Sequence, residues 1–385
     1  MADLQVYRAA VDAAITGQPI YLGGFTSANL PWLYPPFALV VLAPLALLPA
    51  AVAKVAISLI SLAALGLIVG RSWAATAIAG SRRLGLTMGT TGILVVSEPM
   101  QQNLIMGQIN VVLAAMVVVD VLTPAGGRCR GWWVGLAAGI KLTPALIVIY
   151  YAFRRDWEAV RRALFGFVST AVLGLILLPG QSWTYWTGAI WASRIGPDHL
   201  GNQSLLGSLL RLAAVTGIGP AATHAGWLVL AVSLGLLGAG IAARQSAEPL
   251  TAYCILSATT LLISPLSWTP HWIALTPVIV VIAARRATSA GVIAVLGGVG
   301  LLLFAWPVDG VWSGLIWTVY PAQYWSALPD GVRAVGYAVI GSLYTIIGLV
   351  VLAACRSARV LPAEPGVKWR VARRPQQDSN LRHKV

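Results

Sequence analysis

The chain has 385 residues, of which 58% are hydrophobic and 10% charged, with a mean hydropathy of +0.79. A soluble domain carries about a quarter charged residues, so this composition excludes one and indicates an integral membrane protein. The net charge of +14 invites a nucleic-acid reading, but the basic residues are spread over separate loops between apolar runs, which is a topology signal and excludes that class.

Residues 1–36 are polar enough to lie outside lipid, and they hold Asp3, Asp12 and the turn formers Gly17, Pro19, Gly23 and Gly24. The run from Asp3 through Tyr7 to Asp12 reads as a short amphipathic helix on a surface, and Pro35-Pro36 leads the chain into the membrane. Such a stretch can hold a general base at the lipid boundary, or it can be an ordinary solvated start.

Apolar runs follow near 37–48, 51–70, 84–97, 108–122, 132–153, 163–179, 223–243, 250–264, 271–284, 289–305 and 335–355. A straight span needs ~20 apolar residues, so the shorter runs are tilted, broken or extended by their flanks. Arg71, Arg82, Arg83, Arg128, Arg130, Arg154, Arg155, Arg161, Arg162, Arg244, Arg285 and Arg286 fall in separate loops, and the tail from Arg356 is basic. The excess of Lys and Arg assigns these loops and the C-terminus to the cytoplasm. The loops at 98–107, 180–222, 265–270 and 306–334, rich in Trp and Tyr, then face outward.

Parity constrains two segments. Both flanks of 132–153 are basic, and its middle reads Gly139-Ile-Lys141-Leu-Thr-Pro144, so it should enter and return as two half-helices. Broken backbone at that depth requires cover by protein or a wet cavity. The run at 37–48, with Pro44 and Pro49, reads as a short dip from the outer face and back. Residues 1–36 then lie outside with nothing before them to carry the chain across, so a span preceding Met1 is expected. Cys129, Cys254 and Cys355 lie far apart, and no disulfide framework is expected. Residues 365–385 are basic and aperiodic and read as a disordered tail. The chain thus divides into an outer-face stretch (1–36), a membrane domain of ten or eleven apolar segments (37–355) and a basic cytoplasmic tail (356–385).

The polar islands lie on the expected outer side. The stretch from Glu98 to Asn110 is dense in carboxamides, Gln101, Gln102, Asn103, Gln108 and Asn110, which suit sugar hydroxyls because an amide both donates and accepts. Lys141 is a cation at membrane depth, where a charge needs a partner: a lipid phosphate, a carboxylate, or the interface by snorkelling. The loop from Trp183 through Trp191, Arg194, Asp198, His199, Asn202 and Gln203 to Arg211 mixes aromatics, amides and cations. That mixture suits carbohydrate and phosphate, and equally an interfacial aromatic belt. His271 stands at the mouth of a span, as a catalytic group or a structural hydrogen bonder. Asp120, Asp156, Glu158, Asp309 and Asp330 read as solvated ends of spans. Neither a metal-ligand cluster nor a phosphate-cradling glycine loop is visible, and no metal or cofactor is expected.

In chain order the islands read Asp3-x-x-Val-Tyr7, Leu30-Pro-x-x-Tyr34-Pro-Pro, Glu98-Pro, Gly107-Gln-Ile-Asn110, Lys141-Leu-Thr-Pro144, Asn202-Gln-Ser and Ser264-Pro-x-Ser-Trp268-x-x-His271-Trp272. This series resembles glycosyltransferase family 87, the polyprenyl-phosphate-mannose-dependent α-mannosyltransferases of actinobacteria, and within it most nearly the α-(1→2) enzymes that branch lipomannan and lipoarabinomannan. The resemblance implies an all-α polytopic membrane protein of the GT-C type, acting on a polyprenyl-phosphate-mannose donor and a mannan or lipoglycan acceptor at the outer face of the plasma membrane. It implies that Asp3 is the catalytic base of an inverting transfer, because a β-linked donor gives an α product in one displacement. Lys141, with His271 and Arg211, is then assigned to the donor phosphate, and Glu98, Gln108, Asn110, Asn202 and Gln203 to sugar binding. One departure stands out: where the family reads Ser-Trp-x-His-His-Trp, this chain has Pro270 before His271. The rival readings are a multispan transporter, for which broken helices and a midplane lysine are also characteristic, and a truncated relic of the transferase.

Overall fold

A computed structural model describes residues 1–27, 29–191, 201–245, 247–284 and 330–357. Arg194, Asp198, His199, Arg285, Arg286, Asp309, the run at 289–305 and the tail beyond 357 lie outside the described residues. The described chain is helical, and its bridges are the isolated pairs Gly24 with Pro31 and Asn202 with Trp268.

The surface helix expected at the start is Ala2–Ile15 (α1). Leu4, Tyr7, Ala10 and Val11 recur at helical spacing and are buried, whereas Asp12 is exposed. Its partner is Phe37–Leu47 (α2), the segment expected to dip and return. The segment stays one helix despite Pro44 and packs along α1. Arg8 reaches from α1 to the carbonyls of Leu45 and Leu48, at 2.7 and 2.6 Å, and so caps the C-terminus of α2.

Among the described residues, three helices are long and apolar enough to cross a membrane: Ala50–Ala74 (α3), Trp157–Leu177 and Pro220–Arg244. Between the first two come Gly80–Val95 (α4), Glu98–Met106 (α5), Asn110–Val121 (α6), Trp132–Ile140 (α7) and Leu146–Phe153 (α8). Trp157–Leu177 is α9 and is followed by Pro179–Thr187 (α10) and Leu205–Thr216 (α11). Pro220–Arg244 is α12, Pro249–Ile263 α13 and Val278–Ala284 α14. The expected run at 335–355 is two helices, Asp330–Ile340 (α15) and Leu343–Ser357 (α16), parted at Gly341. Apolar side chains on the outer faces of α9 and α12, such as Phe165 and Val229, remain exposed while Asp120 and Arg130 are buried. A soluble protein has the opposite arrangement.

The run at 132–153 is the expected broken element. Lys141 leaves the helix with φ −149° and ψ 127°, and a 3-10 turn, Thr143–Ala145, leads into α8. The two half-helices return to one end, where Arg130 and Asp156 form an ion pair of 2.8 Å. Asp120 closes this base: its carboxylate accepts from the backbone of Gly131 at 2.8 and 3.0 Å, from Val134 at 3.0 Å and from the Tyr151 hydroxyl. Asp120 is therefore not a solvated span end; it is fully buried and caps the N-terminus of α7. Arg130 stacks 4.5 Å from the centre of the Tyr151 ring and donates to the carbonyls of Val121 and Thr123, at 3.0 and 2.6 Å. Asp156 also caps α9 through Ala159, at 3.3 Å.

Glycines let α7 lie directly on α9. A Cβ at Gly135 would come within 2.3 Å of the Ala163 carbonyl oxygen, and one at Gly139 within 2.0 Å of the Thr170 hydroxyl. Small residues four apart permit this close approach, which is how helices gain packing where lipid supplies no hydrophobic drive. The stripe raises Lys141 to the far end of α7, beside the first residue of α6.

Candidate active site

The site forms where the hairpin tip, the start of α6 and the first turn of α1 meet. Lys141 Nζ donates to Asn110 Oδ1 at 2.9 Å and lies 2.9 Å from His271 Nε2. An ammonium has only donors, so His271 accepts on Nε2 and carries its ring proton on Nδ1. Two of the three Lys141 N–H groups are thereby used. The Tyr34 ring centre lies 5.5 Å from Nζ and forms a wall on that side. His271 belongs to a 3-10 segment, Thr269–Leu275, packed on α5 and α6. That segment is pinned by Asn103, whose amide donates to the carbonyls of Pro99 and Pro270, each at 2.7 Å. Proline at 270 keeps the carbonyl this contact needs.

Asp3 arrives from the other side. The turn after α5 brings Gln108 beneath it, and Gly107 makes that turn with φ 71°. A Cβ at Gly107 would stand 2.9 Å from Leu4 Cβ, so glycine lets α1 rest on the turn as well as permitting its left-handed backbone. Gln108 Nε2 donates to Asp3 Oδ2, and Asn110 Nδ2 donates to Gln108 Oε1. Burial pushes the Asp3 carboxyl above the usual carboxylate value, opposed by the Gln108 hydrogen bond and the Lys141 charge. The Tyr7 and Tyr34 hydroxyls share a hydrogen bond of 3.0 Å beside it.

Beneath Lys141 a cavity of about 80 Å³ opens between α6, α8 and α13. Its head is polar, with Asn110, Lys141 and His271, and its body is mostly apolar, with Leu113, Val117, Ile147 and Leu261 among its walls. A cation over an apolar slot suits a phosphate that carries a hydrocarbon chain. The Asp3 carboxylate, joined to the cation through Asn110 and Gln108, is a group that can take a proton.

The other expected site residues fall elsewhere. Glu98 is buried and accepts from the Tyr344 hydroxyl of α16. Asn202 and Gln203, expected to bind sugar, are fully buried. The Asn202 side chain bonds the backbone of Ser267 and Pro265, each at 2.9 Å, and Gln203 accepts from the Tyr344 amide at 3.3 Å, so they pin the loop before α11. Arg211, assigned by the resemblance to the donor phosphate, donates to the Gly341 carbonyl at the α15–α16 break and is not among the residues lining the Lys141 cavity. Sequence reasoning overlooked Tyr34 and Tyr344. Tyr34 lies in a quoted motif, but only the fold turns its ring to Lys141. Tyr344 carried no signal within its apolar run.

Comparison with known proteins supplies the family. The family model described as glycosyltransferase family 87 matches residues 32–265. A polyprenol-phosphate-mannose-dependent α-(1-2)-phosphatidylinositol mannoside mannosyltransferase of Mycobacterium tuberculosis is 34% identical over 80% of this chain and 76% of its own length. Its namesake in Mycolicibacterium smegmatis is 32% identical over 79% of this chain and 74% of its own. A phosphatidylinositol pentamannoside mannosyltransferase of that organism is 32% identical over 82% of each chain. No solved structure matches the chain. An all-helical membrane protein with this sequence relationship is an enzyme and not a transporter: the chain belongs to glycosyltransferase family 87, as a mannosyltransferase.

Proposed function

We propose that the chain transfers mannose, with inversion, from a polyprenyl-monophosphate donor to a mannosylated glycolipid at the extracytoplasmic face of the plasma membrane. The observation that carries the reading is that Asp3 and Lys141 stand on either side of two hydrogen-bonded carboxamides, with an apolar slot below the lysine. Asp3 takes the proton of an acceptor hydroxyl as its oxygen bonds to the anomeric carbon. The bond from that carbon to the phosphate oxygen breaks, and its electron pair leaves with the phosphate. Lys141, backed by His271, meets the charge that develops there.

The relatives' names supply the finer terms. They are described as polyprenol-phosphate-mannose-dependent and as acting on phosphatidylinositol mannosides. We read the acceptor as a mannose-terminated glycolipid of that kind and the new linkage as α-(1→2), which narrows the mannan or lipoglycan suggested by the motifs alone. Charge supports this sidedness: Arg130, Arg154, Arg161 and Arg162 lie at the hairpin base, the end away from Lys141, and basic loops favour the cytoplasm.

Transfer from endogenous donor to a membrane-impermeant mannoside, supplied to intact cells, tests the reading. The parent is expected to transfer, and Asp3→Asn to lose roughly 10²–10⁴-fold, the size of a general-base contribution. Asp12→Asn, on the exposed face of α1, should match the parent. Undiminished transfer by Asp3→Asn removes the base assignment, and transfer that appears only after permeabilisation removes the sidedness.

A further inference from the structure

We infer that Gln108 and Asn110 are positioning residues: they form a one-way hydrogen-bond chain from the Lys141 ammonium to the Asp3 carboxylate, so that one cation serves both the leaving group and the base. The inference rests on the roles proposed above for Asp3 and Lys141.

The direction of the chain is set by its ends. An ammonium only donates and a carboxylate only accepts. Lys141 must therefore face Asn110 Oδ1, which turns Asn110 Nδ2 to Gln108 Oε1 and Gln108 Nε2 to Asp3. Reversing either amide sets two donors or two acceptors against each other. The chain is thus complementary to an ionised Asp3 and a charged Lys141, which are the states the transfer needs. Gln108 and Asn110 are 8% and 7% exposed, and both amides are engaged along the chain, so little of either faces a sugar. This departs from the sugar-binding expectation for the pair. Lys141 keeps one N–H for the phosphate, so donor binding need not break the chain.

Among the described residues, the titratable and charged groups facing Asp3 are Lys141 from the hairpin, Tyr7 on its own helix, Tyr34 from the loop after α1, and the α-amino group of Met1, with His271 behind Lys141. Neither tyrosine titrates in the acid range, so the acid limb of kcat against pH reports on Asp3 and His271, and the part that moves in Gln108→Leu belongs to Asp3, the carboxylate that Gln108 touches.

The experiment measures that limb in membranes holding the full chain. Asn110→Asp is isosteric and still accepts from Lys141, but it cannot donate to Gln108. Gln108 must then turn its amide away from Asp3 while a second carboxylate enters the chain, and the limb is expected to rise by about one pH unit or more. Gln108→Leu removes the donor without adding charge and should raise the limb by less, with donor KM little changed. A kcat lowered equally at every pH in both variants, with the limb in place, overturns the inference and leaves these side chains a packing role. If Asn110→Asp does not fold, Gln108→Leu decides alone. Asp3→Asn in the same assay separates the failures: parental activity there sinks the general-base reading, whereas lost activity with unmoved limbs sinks only the chain.

Discussion

The two ends of the hairpin α7–α8 are both buried polar clusters in an apolar bundle, and they differ in what remains unspent. At the base, Asp120 accepts from two backbone amides and a tyrosine, and Arg130 is taken up by Asp156, three carbonyls and an aromatic face. At the tip, Lys141 keeps a donor and borders a cavity, and Asp3 is only partly buried. Burial of a charge therefore does not by itself point to a catalytic group. A charge with valence left over and room beside it is the better candidate, because a substrate can then be its missing partner.

The largest effect that would sharpen this contrast is at the tip. Lys141→Met keeps the length of the side chain and removes its charge. Steady-state transfer should lose about 10²–10³-fold in kcat/KM for the polyprenyl donor, the scale of one lost charge-stabilising group, while the thermal midpoint in detergent holds. Parental kinetics would return Lys141 to a snorkelling role. At the base the pattern should invert. Asp120→Asn presents an amide to N–H groups that need an acceptor, and each buried donor left unpaired costs roughly 1–3 kcal/mol. Its thermal midpoint should fall while transfer per folded molecule stays within a few-fold. A hundredfold loss of transfer at parental stability would break the comparison.

The smallest effect concerns the contact that joins the two ends. Gly135→Ala drives a methyl into the Ala163 carbonyl, which is backbone and cannot turn aside, and should cost about 1–3 kcal/mol as overpacking does. Gly139→Ala meets the Thr170 side chain, which can rotate, and should cost less. Thermal denaturation of the two variants side by side tests the order; equal midpoints would mean that the helices part rather than bear on one another.

Much of this was legible in one dimension. Apolar runs, a lysine and a proline inside one of them, and a polar aromatic opening pointed to a membrane bundle, a broken helix and a surface carboxylate, because lipid restricts which sequences can cross it. Ordered motifs pointed to the family and drew attention to Asp3, Lys141 and His271. Other residues misled. Asp120 sits at the end of an apolar run, and nothing local separates a solvated carboxylate from one opposite a chain reversal eleven residues on. Asn202 and Gln203 have the composition of a sugar site and the contacts of a structural clamp.

What the sequence determined by itself was the partition of the chain between lipid and water and the kinds of group available, since both depend on local hydropathy and side-chain chemistry. Only the tertiary structure decided which polar groups spend their hydrogen bonds on one another. Tyr344 meets Glu98 across 246 positions, and His271 meets Lys141 across 130. Pairings at that range follow from how helices pack, where one glycine stripe raises Lys141 to the first residue of α6 and one left-handed turn at Gly107 sets Gln108 beneath Asp3.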